Sequence, residues 1–151
     1  MDDDLFFVGL FVVVTGVDKS GLLQLLGKRI VSSADGDREV IASLVLWVSA
    51  LASSVIDNIP FVATMIPLIK AMAPTFGGPE GLMPLWWSLS LGACLGGNGT
   101  LIGASANLIV AGFAERAGKR IRFMEFLKHA FPMMLMSIAI CHAYVWFRYL
   151  R

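Results

Sequence analysis

Asp57 and Asn58, followed by Pro60, interrupt a long apolar run from Val40 to Met72. A carboxylate at bilayer depth costs about 2.5–3.5 kcal/mol on insertion scales, so the chemistry it suggests is that of a cation ligand or a proton carrier. Desolvation favours a neutral acid and a nearby cation favours a carboxylate, and a cation/proton exchanger needs that opposition. The structural alternative is an aspartate that caps the following helix, or one half of an ion pair. No Lys or Arg lies in the interior of the surrounding apolar blocks, so no partner for an ion pair is evident. Asn58 suits a cap and a ligand equally well.

A second polar set sits in the next long apolar block. Asn98 and Thr100 supply neutral oxygens, Gly96, Gly97, Gly99 and Gly103 allow close backbone approach, and Ser105 and Asn107 follow one turn later. The competing reading makes Gly92/Gly96 and Gly99/Gly103 helix-packing positions of the GxxxG type. Ser53, Ser54 and Thr64 flank the first interruption, either as ligands or as hydroxyls bonding back to their own helix.

Other chemistries are excluded. Gly97-Asn98-Gly99 is not a nucleotide loop, because no strand precedes it and no Gly-Lys-Ser/Thr follows. Asn98-Gly99-Thr100 is formally a glycosylation sequon, but at membrane depth it is out of reach of the transferase. His129 and His142 stand alone without metal-ligand spacing. Cys94 and Cys141 lie in apolar stretches and read as small buried hydrophobes. No nucleophile–base pair is visible, so an enzyme is not expected.

The elements that carry these residues are membrane elements. Of 151 residues, 57% are hydrophobic and 15% charged, with a mean hydropathy of +0.75, whereas soluble domains average roughly 45–50% and about 25%. The net charge of +1 and the lack of a basic run argue against nucleic acid. Residues 1–151 read as one all-α membrane domain. Its parts are a short apolar segment at 5–17, an amphipathic interfacial helix at 18–31, a re-entrant hairpin at 40–72, a broken helix at 82–115 and a transmembrane helix at 123–149.

The hairpin follows from length. A helix over residues 40–72 would reach roughly 50 Å, against a hydrocarbon core of about 30 Å. Proline removes a donor and restricts its neighbour, which predicts a break near Asn58-Ile59, between helices at 41–56 and 61–72. The glycines and Asn98 predict the second break, between helices at 85–95 and 104–115. Trp86 and Trp87 at one start, and Tyr144, Trp146 and Tyr149 at one end, suit headgroup level, and the basic linker 115–128 is placed in the cytoplasm by the positive-inside rule.

These breaks carry a resemblance. Ser49–Pro67, centred on Asp57-Asn58-Ile59-Pro60, closely resembles the C-terminal hairpin of the pink-eyed-dilution P protein family, and Gly92–Asn107 resembles its broken helix. Phe123–Phe126, with Phe131–Met134 after it, is a third match. The family belongs to the citrate-transporter-like ion transporter superfamily, with arsenite permeases, NhaD-type sodium/proton antiporters and divalent anion:sodium symporters. The resemblance covers roughly residues 5–149. It implies two inverted repeats, each with a re-entrant hairpin and a broken helix meeting at the midplane. One repeat, the C-terminal half, is expected here. By the same resemblance Ser54, Asp57, Asn58 and Thr64 belong to the hairpin site, and Asn98, Thr100, Ser105 and Asn107 to the unwound segment.

Function is expected to be secondary transport of a small inorganic or carboxylate ion, coupled to sodium or protons, with no other cofactor. The expected partners are the lipid bilayer and a missing N-terminal half or a second copy. Arsenite permeases tend to have asparagine where Asp57 stands, which tilts the reading towards cation or proton coupling. The rivals are a channel-like anion conductance regulating organelle pH, and a non-transporting membrane fragment.

Overall fold

The computed structural model describes residues 36–151 continuously, and scattered positions between residues 9 and 34. The segments expected at 5–17 and 18–31 fall largely outside the described residues. Residues 36–151 form five α-helices and no strand: α1 (Arg38–Ser53), α2 (Asn58–Ala71), α3 (Met83–Gly96), α4 (Ser105–Arg116) and α5 (Phe123–Val145), the last prolonged by a π-helical turn, Trp146–Leu150.

Asp37 caps α1, its carboxylate accepting from the Glu39 backbone N–H at 2.8 Å. Apolar and small residues then recur at helical spacing, so Ile41, Ala42, Val45, Leu46, Ser49, Ala50 and Ser53 form one buried stripe. On α3 the same spacing buries Leu85, Ser88, Leu89, Gly92, Ala93 and Gly96. The two stripes meet in parallel. A Cβ on Gly92 would stand 2.5 Å from the Leu46 carbonyl oxygen, and one on Gly96 would overlap the Ala50 backbone. Gly92 and Gly96 are therefore packing positions that let two backbones touch.

Helix α2 runs antiparallel to α1, because Leu68, Ile69 and Met72 share a core cluster with Ile41, Ala42 and Val45. The pair is a helical hairpin with its tip at residues 54–57. The break falls there, earlier than the expected Asn58-Ile59, because Pro60 sits in the first turn of α2, where an amide donor is unpaired in any case. Gly77 and Gly78, with φ of 77° and 105°, turn the chain between two short 3-10 turns and return it to the start of α3. Such angles suit residues without a Cβ.

Helix α5 runs antiparallel to α1 and α3, with Met134 and Ile138 in a second core cluster against Leu46 and Ala50. Over Phe123–Leu150 it is long and apolar enough to cross a membrane, and only 17% of its most apolar stretch is buried. Trp87 stacks on Tyr149 with ring centroids 6.2 Å apart, so the aromatic residues expected at two headgroup positions share one level. Helix α4 buries no residue, and Ile109, Val110 and Phe113 are each about 60% exposed. Cys94, expected to be buried, lies exposed on α3.

Candidate ion-binding site

The parallel course of α1 and α3 brings their C-terminal ends, and therefore both interruptions, to one place. The α1–α2 break is Ser54–Asp57. After Gly96 the chain makes a 3-10 turn at Gly97–Gly99, then runs irregularly to Ala104, where α4 begins. The second break thus lies where the glycines and Asn98 predicted it.

Hydrogen bonds and a close backbone contact join the breaks and the helices that carry them. Ser105 Oγ donates to Asp57 Oδ2 at 2.8 Å. The Thr100 hydroxyl donates to the Ser54 carbonyl, and both residues are buried. Asn58 hydrogen-bonds Ser53, whose hydroxyl also donates to the Ala93 carbonyl on α3 at 2.7 Å. Gly103 lies against the Ser53 and Ser54 carbonyls, where a Cβ would come within 2.8 Å of the Ser54 oxygen. Within the second break, the Asn107 amide donates to the Gly97 and Thr100 carbonyls, each at 3.0 Å.

Asp57 also caps α2, accepting from the Ile59 N–H at 3.4 Å. Helix α4 begins at Ser105 with no side-chain cap. The carboxylate therefore sits at the N-termini of two helices, whose exposed amides and dipoles favour negative charge. The capping role and the ligand role, alternatives in the sequence, are here compatible: Oδ1 caps while Oδ2 faces the other break. Its partners are the Ile59 N–H and the Ser105 hydroxyl, and a single carboxylate among neutral groups suits a small hard cation or a proton.

Of the expected site residues, the fold gathers Asp57, Asn58, Thr100, Ser105 and Asn107 through their side chains, and Gly97, Gly99 and Gly103 through their backbones. Ser54 joins through its carbonyl, since its hydroxyl donates to its own helix at Leu51. Gly96 packs on α1. Thr64 and Asn98 are not brought in: Thr64 is exposed and bonds the Phe61 carbonyl of its own helix, and Asn98 is exposed. Ser53, read only as a flanking hydroxyl, proves central. His142, isolated in sequence, is bonded by Trp47 at 2.9 Å, a pairing across 95 positions that no local pattern signals. Among the described residues no cluster of His, Cys, Asp and Glu could hold a metal.

The chain is similar to known membrane proteins. The sequence pattern of the citrate transporter family matches residues 5–92. The P protein of Mus musculus is 47% identical over 148 residues, covering 93% of this chain and 18% of that protein. An uncharacterized transporter of Mycobacterium bovis is 43% identical over 148 residues, covering 98% of this chain and 34% of that protein. A 46 kDa membrane protein of Mycobacterium leprae is 40% identical over 146 residues. The chain spans roughly a fifth to a third of the length of the curated relatives it matches. It is an integral membrane protein and belongs to the citrate transporter family.

Proposed function

We propose that this chain carries the ion-binding half-site of a secondary transporter, in which Asp57 binds a sodium ion or a proton and couples it to movement of a small inorganic or carboxylate ion. The observation that carries this reading is the Asp57–Ser105 link between the two breaks, at the mid-height of α5. Met134, the central residue of α5, reaches Gly99. Trp87, at the aromatic level, is ten positions before Gly97, or about 15 Å of helix and half a hydrocarbon core. With α5 as the span, the hairpin is re-entrant, its tip meets the broken helix near the midplane, and irregular backbone lines a polar cavity, the setting that tolerates it. Carbonyls and half-helix ends at that depth are the parts from which transporter sites are built. The chain thus supplies one repeat, and a second set of elements completes the pathway.

The test is coupled flux in vesicles containing the full-length transporter that carries this segment. Asp57→Asn is expected to abolish sodium- or proton-coupled uptake while leaving insertion and folding intact. Wild-type coupling in that variant would overturn the assignment. Voltage-driven flux without stoichiometric sodium or proton movement would favour a channel instead.

A further inference from the structure

An open groove of about 490 Å³ lies between α1 and α5, away from the two breaks. Glu39, Ser43, Leu44 and Trp47 line it from α1, and His142 and Trp146 from α5 and its final turn. The glycine seam fixes the depth of its mouth. Gly92 rests on Leu46 and Gly96 on Ala50, so by the same offset Trp87 stands level with Ile41. Trp87 in turn stacks on Tyr149. With α5 as the span, Glu39 and Trp146 therefore lie at the aromatic headgroup level.

The groups in the groove are ordered by depth. At the mouth, the exposed Glu39 accepts from the Trp146 indole N–H at 3.4 Å. No cation pairs with it among the described residues, whose ion pair is Arg120–Glu115. Its cationic neighbour Arg38 bonds the Phe76 carbonyl, and Arg148 lies over Tyr149. One turn deeper are hydrogen-bond donors. The Trp47 indole N–H donates to His142 Nδ1 at 2.9 Å, so the neutral imidazole carries its proton on Nε2, 3.4 Å from Ser43 Oγ. Deeper still, α1 turns an aliphatic stripe outward: Leu44, Val48, Leu51 and Val55 are all exposed, at helical spacing, as far as the hairpin tip.

We propose that this groove binds a phospholipid with a primary-ammonium headgroup, phosphatidylethanolamine. The ammonium sits at the Glu39 carboxylate between the indoles of Trp47 and Trp146, since a carboxylate beside aromatic rings suits such a cation. The phosphate, two carbons deeper, accepts from His142 Nε2–H and the Ser43 hydroxyl. An acyl chain then follows the stripe, roughly 16 Å from Leu44 to Val55, or about half a hydrocarbon core. Charge and order select this headgroup together. An anionic lipid meets Glu39 with like charge, and phosphatidylcholine has no N–H to give the carboxylate. A first-turn acid favours its own helix dipole, but that role needs neither the indoles nor the donors one turn below. The inference is independent of what Asp57 binds and rests on α5 as the span.

The experiment titrates the full-length transporter carrying this segment, in mild detergent, with phosphatidylethanolamine, phosphatidylcholine or phosphatidylglycerol, and reads bound lipid by native mass spectrometry. Glu39→Gln is expected to weaken phosphatidylethanolamine binding about tenfold, as loss of one charge-assisted hydrogen bond should, and to leave phosphatidylcholine binding unchanged. Glu80→Gln, the same loss of charge in the turn before α3, is expected to change neither. A bimane on Leu44→Cys is expected to be quenched by phosphatidylethanolamine with brominated acyl chains, and less so when Glu39→Gln is added. The proposal is overturned if Glu39→Gln binds phosphatidylethanolamine as the wild type does, or if it weakens all three lipids alike. Equal effects of Glu39→Gln and Glu80→Gln overturn it too. So does an unquenched bimane, the result expected if another segment of the transporter fills the groove.

Discussion

Ser105 Oγ and Asp57 Oδ2 stand 2.8 Å apart, although 48 positions separate the two residues in sequence. The bond ties the hairpin tip to the first residue of α4, and Ser105 is exposed at that point. Its net contribution to stability is expected to be small, because water competes for both groups. A double-mutant cycle with Asp57→Ala and Ser105→Ala, read by unfolding, should give a coupling of about 1 kcal/mol or less. Strict additivity of the two substitutions would mean that the bond is not formed in the membrane.

The glycine seam should be far less forgiving. Gly96→Ala drives a Cβ into the Ala50 backbone, which has no flexible end to move aside. A loss of about 1–3 kcal/mol is expected from such overpacking. A methyl group on Gly112 in α4 would meet nothing within 4 Å, so Gly112→Ala should be neutral, or stabilising by up to about 1 kcal/mol through helix propensity. Denaturant unfolding in mild detergent measures both, and equal effects would contradict the packing described.

Asn107→Ala leaves the Gly97 and Thr100 carbonyls without their amide donor. Destabilisation of about 1–3 kcal/mol is expected where those oxygens stay dry. If sodium coordinates the same oxygens, added sodium should restore part of the loss and potassium less, which a thermal-shift series would detect. Identical melting in the two salts would argue against a sodium site at these carbonyls.

Water access provides a test of depth. With Cys94 and Cys141 replaced by alanine in the full-length transporter, Ser105→Cys, exposed beside Asp57, should react with a membrane-impermeant maleimide through the polar cavity. Ile140→Cys, 64% exposed on α5, should stay unlabelled in lipid. The depth assignment fails if Ile140→Cys labels as fast as Ser105→Cys.

The two interruptions were legible in the sequence because proline, glycine and asparagine are costly inside helices, and each stood within a run too long for one span. The exact place of the first was not. Pro60 suggested a break beside itself, whereas a proline in the first turn is harmless, and Asp57 as a cap fixed the start of α2 instead. Thr64 and Asn98 looked like ligands by type alone. Their separation from the other expected site residues depends on which way a helix or turn faces, and this only packing decides. The Trp47–His142 pair was invisible because nothing local links residues on helices 95 positions apart. The division of the glycines, with Gly92 and Gly96 against α1 and Gly97 and Gly103 within the second break, likewise appeared only once α1 and α3 were seen to run parallel.

That seam has a mechanical consequence. Because the Gly92 and Gly96 backbones rest directly on Leu46 and Ala50, there is no cushion of side chains along which α3 could slide past α1. The hairpin tip and the second break then move as one rigid piece, and in the transport cycle proposed above any opening motion pivots around that piece, not through it.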